Sequence, residues 1–388
     1  MNILLLRAYP RKNGYTHRLT DLFVKGMREG GASDASKPLT RGTSTPSGAS
    51  KGRPTGGGAA LVDRDIASAD IKPCIGCYRC WITSPGRCFF KDDMTTLQND
   101  LLNADIIVCA TPLNSFSVSS SLKALLDRTL PLTMPRFEQS PLGSVRNQIR
   151  FPEKWPKKIA TIIVGAFNGP HIFSGVKSMM AHYANALSLE LCGELLRPES
   201  FLLPFTLAKP MTVKTIEAAF VRAGCEIATD GRISVDTEQK AATPLSSDVA
   251  YFNKYSNIYW EHAVALGENS GDLDRLCRSV TSDVRILMQE MARSIDPQAT
   301  AKLKATFLFE FPDKNLCISL IVDHGVCRYL EERSGVPDLK VTCSSEVWAG
   351  VFMRQSNVRD ALVNKQIVLE GDTFLFSRLD RYFPPPVM

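Results

Sequence analysis

The chain is expected to be an α/β protein built on a doubly wound, parallel, five-stranded sheet, with a separate α+β domain after it. Three observations lead there. Short apolar runs alternate with helical patterns over residues 1–266, and that alternation argues a parallel sheet with crossover helices. A short polar hinge, Gly267 to Asp272, then interrupts the pattern. Beyond it several strand-like runs come before most of the helices, the order of an α+β unit. The expected domains are therefore residues 1–266 and 272–388.

Composition narrows the function classes. The 388 residues are enough for two domains, and the hydrophobic and charged fractions are those of a globular protein. The net charge of +6 is spread along the chain without a lysine/arginine cluster, so nucleic acid is not an expected partner. The first apolar run is too short for a signal peptide and feeds directly into a loop. No stretch approaches the roughly 18 apolar residues of a membrane-spanning helix. With no secretory leader expected, the eleven cysteines point to reduced thiols and a cytoplasmic setting.

Asn2 to Leu6 is aliphatic enough for a strand buried on both faces. Tyr9-Pro10-Arg11-Lys12-Asn13-Gly14-Tyr15-Thr16 follows, and then Leu19, Leu22, Phe23 and Met27 fall on one helical face. Strand, Gly/Pro loop and helix together offer backbone N–H groups to an anion. Pro10 and Gly14 shape the turn, Arg11 adds a forked cation, and Thr16 is placed to cap the helix and to donate to a phosphate. Neither a Walker lysine pattern nor GxGxxG occurs, so a single terminal phosphate fits best. Residues 30–58 hold almost no large apolar side chains and read as a disordered insertion.

Ala59 to Ile66 is the expected second strand. Asp92 or Asp93 should cap the helix through Leu97 and Leu102. Ala104 to Ala110 is the clearest strand, and it runs into the loop Thr111-Pro112-Leu113-Asn114-Ser115-Phe116. Ser119 to Leu130 is helical, residues 131–157 show no period, and Ile159 to Ala166 is a fourth buried strand. A helix over Val176 to Ala186 and a fifth strand over Leu195 to Pro204 follow. Helices over Val213 to Ala223 and Val249 to Leu266 complete the expected domain. Ligands of such sheets bind beyond the strand C-termini, which selects Tyr9 to Thr16, Thr111 to Phe116 and Gly165 to Asn168, with Gly165 and Ala166 at the start of the third loop. In the second domain, Leu273 to Ile295 reads as one amphipathic helix. Thr306–Glu310, Leu316–Val322, Gly325–Leu330 and Asp338–Ser344 read as strands. Helices near Val347 to Met353 and Val358 to Asn364, a strand at Ile367 and a final helix from Thr373 end the chain.

These segments resemble a known family. Tyr9 to Thr16, the stretch Pro73-Cys74-Ile75-Gly76-Cys77-Tyr78-Arg79-Cys80-Trp81 and the run from Thr111-Pro112-Leu113-Asn114 to Asp127-Arg128 are similar to the NADPH-dependent FMN reductase and iron–sulfur flavoprotein group. Its fold is flavodoxin-like. Tyr9 and Tyr15 stand where that group usually has Ser and Asn, and Asn114 where an aromatic is usual. The resemblance implies FMN at the sheet's C-terminal edge, NAD(P)H as co-substrate and a small-molecule electron acceptor. The residues agree with this: one phosphate suits the loop at Arg11, loop backbone and a flat wall from Phe116 or Trp81 suit the ring, and the flavin itself carries the redox chemistry. No residue is therefore expected to act as a catalytic nucleophile or base. A non-enzymatic electron carrier is the alternative, and a homo-oligomer is expected. With strand-like Leu316 to Val322, the stretch Asp338 to Ser344, Trp348, and Leu369-Glu370-Gly371-Asp372 before a final helix ending near Phe383, residues 272–384 look like a sterol-carrier-type (SCP2-like) domain, which implies an apolar cavity for a lipid ligand; a plain filled core is the alternative.

Cys74, Cys77, Cys80 and Cys88 are spaced x2, x2 and x7. Three close thiolates with a fourth nearby suit a 4Fe–4S cluster better than a zinc site of two separated pairs. A structural or redox-active thiol loop remains the other reading of the same four residues.

Overall fold

The computed structural model describes residues 1–36, 58–140, 143–204, 210–267 and 273–384. They divide into two compact units, Met1–Phe201 with Thr212–Ser246, and Leu202–Met211 with Ser247–Met388.

The first unit is wound around parallel strands. In chain order it holds β1 (Asn2–Arg7), α1 (Tyr15–Glu29), β2 (Ser33–Asp34), β3 (Ala60–Asp65), α2 (Arg79–Ile82), α3 (Met94–Asn103), β4 (Ile106–Pro112) and α4 (Ser120–Asp127). It continues with β5 (Thr133–Gln139), β6 (Val145–Ile149), β7 (Lys158–Val164), α5 (Ser174–Ala186), β8 (Glu190–Arg197), α6 (Pro210–Asp230) and α7 (Val235–Ala241). The sheet order is β2-β3-β1-β4-β7-β8, every pair parallel. Its five long strands run in the 2-1-3-4-5 order of flavodoxin-like folds. Leu4 sits between Val62 and Ile107 in register, and Leu4, Leu5 and Leu6 are buried, as an aliphatic run covered on both faces should be. Helix α1 lies so close to α6 that a side chain at Gly26 would strike the Val221 carbonyl, and one at Gly224 the Phe23 carbonyl. Glycine is required at both positions for that approach.

The sheet has six strands where five were expected, because Ser33–Asp34 pairs with Ala60 and Leu61. That short strand falls inside the expected disordered insertion. Residues 37–57 of the insertion lie outside the described residues. The last strand is Glu190–Arg197 rather than Leu195 to Pro204: Pro198 has no N–H for the ladder, and Glu199 turns left-handed at φ 52°. Within residues 131–157, expected to lack regular structure, β5 and β6 pair antiparallel, with a register shift between Thr133 and Phe137 in which Pro135 falls. Helix α7 was not expected; Ser234 caps it by accepting from the Thr237 N–H.

The second unit holds α8 (Val249–Ala265), α9 (Leu273–Thr281), α10 (Val284–Arg293), β9 (Lys304–Phe311), β10 (Leu316–Asp323), β11 (Val326–Leu330) and β12 (Leu339–Cys343). After these come α11 (Ser345–Phe352), α12 (Val358–Val363), β13 (Ile367–Gly371), α13 (Thr373–Ser377) and α14 (Leu379–Tyr382). Its sheet runs β11-β10-β9-β12-β13, antiparallel except where β12 lies parallel to β9. Phe307, Phe309 and Phe311 alternate on β9 and are fully buried against Trp348 and Phe383. The helix expected over Leu273 to Ile295 is broken, because Asp283 leaves helical geometry and caps α10 through the Arg285 N–H. The final helix is likewise split at Arg378. Of the expected hinge, residues 268–272 lie outside the described residues. Helix α8 joins this second unit, where Tyr251 and Tyr255 donate their hydroxyls to the buried Glu290 carboxylate.

Candidate functional site

Three loops leave the same end of the parallel sheet. The Ala8 N–H donates to Ala110 O at 2.8 Å, joining the ends of β1 and β4. Leu113 N–H donates to Val164 O at 2.9 Å and Gly165 N–H to Arg197 O at 2.8 Å, which carries the tie across β7 to β8. The loops predicted from sequence are thus neighbours.

In the first loop Pro10 and Arg11 are exposed, while Gly14, Tyr15 and Thr16 are buried. Gly14, not Thr16, occupies the N-cap of α1, with no side-chain cap and no acidic residue in the first turn. Thr16 instead lies inside the helix, where its carbonyl accepts from the Thr20 hydroxyl. A helix start with no acidic residue in its first turn favours an anion. The loop's two cations differ. Lys12 is paired with Asp65, whereas Arg11 has no ion pair among the described residues. Tyr9 is buried and its hydroxyl accepts from Arg7, which also binds Asp63 and Asp21. Burial raises the Tyr9 phenol above its usual pKa, with Arg7 opposing. The Tyr9 side chain therefore belongs to the frame, and its backbone faces the loop.

In the second loop Thr111 is buried and its hydroxyl accepts from the Ser119 N–H while donating to Pro112 O. Asn114 and Ser117 exchange two backbone hydrogen bonds of 2.9 Å. Ser115 and Phe116, between them, are both left-handed, at φ 46° and 61°. Two non-glycine residues in that region store strain, a feature that clusters at ligand sites. The turn holds Phe116 out, 55% exposed, where it stacks on Phe167 of the third loop with centroids 5.9 Å apart and planes at 15°. Gly165 is buried, and a side chain there would press on Ile172, Leu113 and Phe173. Ala166 is exposed. Phe167 and Asn168 lie in the loop expected from sequence, Gly165 to Asn168, whereas Glu199, which pairs with Asn168, was not read as a site residue, since only the fold brings it to this edge.

Trp81, the other expected wall, lies elsewhere. It packs on Tyr78 at 5.3 Å and its indole N–H donates to Leu130 O. It neighbours a shallow pocket lined by Cys74, Cys77, Cys80, Cys88, Phe89, Phe90 and Arg128. Arg128 is buried, paired in bidentate fashion with Asp92, and its Nε has no hydrogen-bond partner. Burial, with the other three thiols near it, pushes Cys80 up to about 11. The four cysteines thus face one pocket that also contains a cation. Among the described residues, however, no three His, Cys, Asp or Glu side chains are drawn together as a metal site.

The second unit carries a cavity of about 540 Å³ between its sheet and helices. Its lining is mostly apolar, with Trp348, Val351, Phe352, Leu369 and Phe376, and includes Arg354 and Arg359. Trp348 is buried and its indole N–H has no partner. Among the described residues no helix is long and apolar enough to cross a membrane.

Comparison with known proteins agrees with this division. Residues 1–169 match the family model of NADPH-dependent FMN reductase, and residues 280–386 match that of the alkyl sulfatase C-terminal domain. An iron–sulfur flavoprotein of Methanocaldococcus jannaschii is 36% identical over 67 residues, 17% of this chain and 34% of that protein. The chain spans about a third of the length of the curated relatives it matches. Among solved structures, an azoreductase from Bacillus anthracis is 14% identical, covering 59% of this chain and 99% of its own, with TM-score 0.38. A sterol carrier protein 2-like protein from Aedes aegypti is 22% identical over 26% of this chain and 94% of its own, with TM-score 0.23. Those two structural likenesses are too small to carry an argument; the strand order carries the fold.

Proposed function

We propose, from the match of residues 1–169 to the NADPH-dependent FMN reductase family, that the first unit is an FMN-dependent NAD(P)H oxidoreductase domain serving a small-molecule electron acceptor. The observation that supports the reading is the start of α1, with no acidic residue in its first turn, beside Arg11, which has no ion pair among the described residues, at the C-terminal edge of a 2-1-3-4-5 sheet. FMN bound there would supply the redox chemistry between a nicotinamide and the acceptor. The chain's own groups hold and orient. Arg11 and the first-turn N–H groups of α1 neutralise the phosphate. Thr111 fixes the second loop by accepting from Ser119 N–H. Phe116 and Phe167 give the ring an apolar wall and keep water from it.

Purified chain should carry FMN, lose it on heating, and oxidise NAD(P)H when a quinone or free flavin is supplied. Release of FAD, or failure to take up any flavin, would sink the reading. Flavin binding without turnover would favour the electron-carrier alternative.

A second reading concerns the cysteine pocket. Cys74, Cys77, Cys80 and Cys88 with the orphaned Arg128 Nε suit an anionic group, and a 4Fe–4S cluster held by four thiolates carries net negative charge. Anaerobically prepared chain should then contain about four irons and four sulfides. Flavin without iron under those conditions would leave the four thiols as a redox or structural loop. For the second unit we propose an apolar ligand. The cavity's lining fits an acyl chain or sterol, and the Trp348 indole N–H offers a donor to a polar group on it. Saturable uptake of a fluorescent fatty acid by the whole chain is the check; no uptake would leave the cavity without this role.

A further inference from the structure

The loop that carries Phe167 is not held by its own sequence. It is held by the segment after β8, through a charged pair that the flavin reading leaves unexplained. Glu199 is 1% exposed and Arg197 is fully buried, with Arg197 Nη2 3.8 Å from Glu199 Oε2. Burial lowers the Arg197 pKa to about 10, with Glu199 opposing. A buried pair of this kind adds little net stability over an apolar core, so what it supplies is geometry.

That geometry is specific. The Glu199 carboxylate accepts from Leu245 N–H at 2.7 Å, from Ser246 N–H at 3.2 Å, from the Ser246 hydroxyl, and from Asn168 Nδ2 at 2.7 Å. Its backbone N–H donates to Phe167 O at 3.0 Å. Ser200 N–H donates to Gly165 O at 3.1 Å. Arg197 donates to Pro198 O, Ala241 O and Thr243 O, which fixes the base of the same segment. Glu199 reaches this position only by adopting a left-handed backbone, φ 52°, disfavoured for a residue with a side chain. Thus Gly165, Phe167 and Asn168 are each tied to residues 199–200, and the loop's one exposed aromatic is aimed at Phe116 by those ties.

We infer that Glu199, acting through Asn168, is a positioning residue for the flavin ring: it sets where Phe167 stands relative to Phe116. The inference rests on the FMN reading above. Neither residue is assigned contact with the cofactor. Their effect is on the place of the apolar wall and so on the environment of the ring.

The experiment uses the full chain and FMN. Asn168→Ala removes the loop's side-chain links to the Glu199 carboxylate and to the Ser246 hydroxyl, and Asn168→Asp sets a second negative charge against that carboxylate. Glu199→Gln keeps the shape but turns an amide N–H toward the Leu245 and Ser246 donors. Loss of a hydrogen bond to a charged group predicts about tenfold weaker FMN binding for Asn168→Ala, and more for Asn168→Asp. The visible circular dichroism and reduction potential of the bound flavin should shift in both, while the unfolding temperature of Asn168→Ala stays near that of the parent. A shift in unfolding alone, with flavin affinity, dichroism and potential unchanged in Asn168→Ala, would overturn the inference even if Glu199→Gln fails to fold. A parent chain that takes up no FMN would overturn the underlying reading, and this one with it.

Discussion

The two units differ in where their candidate site residues stand. In the first, the interior is filled: β1, β4 and β7 are almost wholly buried, and the candidate residues stand on loops beyond the strand ends, with Phe116 and Phe167 more than half exposed. In the second, the candidate residues line a cavity whose wall includes core residues such as Trp348 and Met291. The difference separates stability from binding in one unit and joins them in the other. Loop substitutions in the first unit should change binding and leave the fold alone. In the second, the same side chains serve both.

The sharpest test of the first half is a frame residue remote from the loops. Asp92 accepts two bonds from the buried Arg128, one from Lys72 N–H and one from Met94 N–H. Asp92→Ala leaves Arg128 charged and unpaired, which should destabilise the chain by about 3–5 kcal/mol in urea unfolding. A loss under about 1 kcal/mol would show that the pair is solvated and the frame is not as closed as its burial indicates.

How much of this was legible depends on how local the cause is. Asn2 to Leu6 and Ile159 to Val164 announce buried strands, because burial on both faces needs an unbroken aliphatic run. Phe307, Phe309 and Phe311 announce a one-sided strand by alternation. The turn between β1 and α1 is legible because Pro10 and Gly14 fall close together between an aliphatic run and a helical pattern. The misses have non-local causes. Ser33–Asp34 has no strand character of its own and exists because Ala60 and Leu61 pair with it. The hairpin β5–β6 hides behind a register shift at Pro135. Thr16 looks like a cap, but the chain enters the helix two residues earlier at Gly14. The loop Gly165 to Asn168 can be read from the strand before it, whereas Glu199 reaches that loop only when β7 and β8 lie side by side. The cavity depends on how side chains pack, which no pattern reports.

The second half of the comparison turns on the interior of the other unit. Phe309 is fully buried and packs with its ring centroid 4.8 Å from that of Trp348, itself part of the cavity wall. Phe309→Ala should cost about 3–4 kcal/mol and change fatty-acid affinity too. Val351→Trp fills the cavity instead; it should block uptake at a stability cost below about 1.5 kcal/mol. If Phe309→Ala lowers stability with uptake untouched, core and cavity are independent and the comparison fails on this side.

At the loop edge the expectation reverses. Arg11→Glu puts a negative charge beside the start of α1 in place of an exposed, unpaired cation. FMN affinity should fall about 10- to 100-fold, a loss of roughly 1.4–2.7 kcal/mol, through the lost charge-assisted bonds. The unfolding midpoint of the flavin-free chain should not move. Equal loss of stability and affinity would mean that Arg11 is part of the frame.

The smallest effect expected is electrostatic and lies in the second unit. Burial works against the charge on Asp283. Hydrogen bonds from His262 and Arg285, with the Arg285 charge, outweigh it and hold this carboxyl well below the usual carboxylate range. A depressed carboxyl contributes stability that is fully present above its unfolded value, about 3.9, and lost as pH falls through the folded one. Asp283 also caps α10 by accepting from Arg285 N–H, and asparagine caps as well as aspartate does. Asp283→Asn therefore removes the charge and leaves the cap. Its cost should be roughly 1–2 kcal/mol near neutral pH and should shrink toward zero in strong acid, where the parent carboxyl is protonated as well. Urea midpoints of parent and variant, measured from neutral to strongly acidic pH, should converge as pH falls below about 4. Parallel curves across that range would mean that the His262–Asp283–Arg285 contacts contribute through shape alone, and that charge has no part in joining α8 to α10.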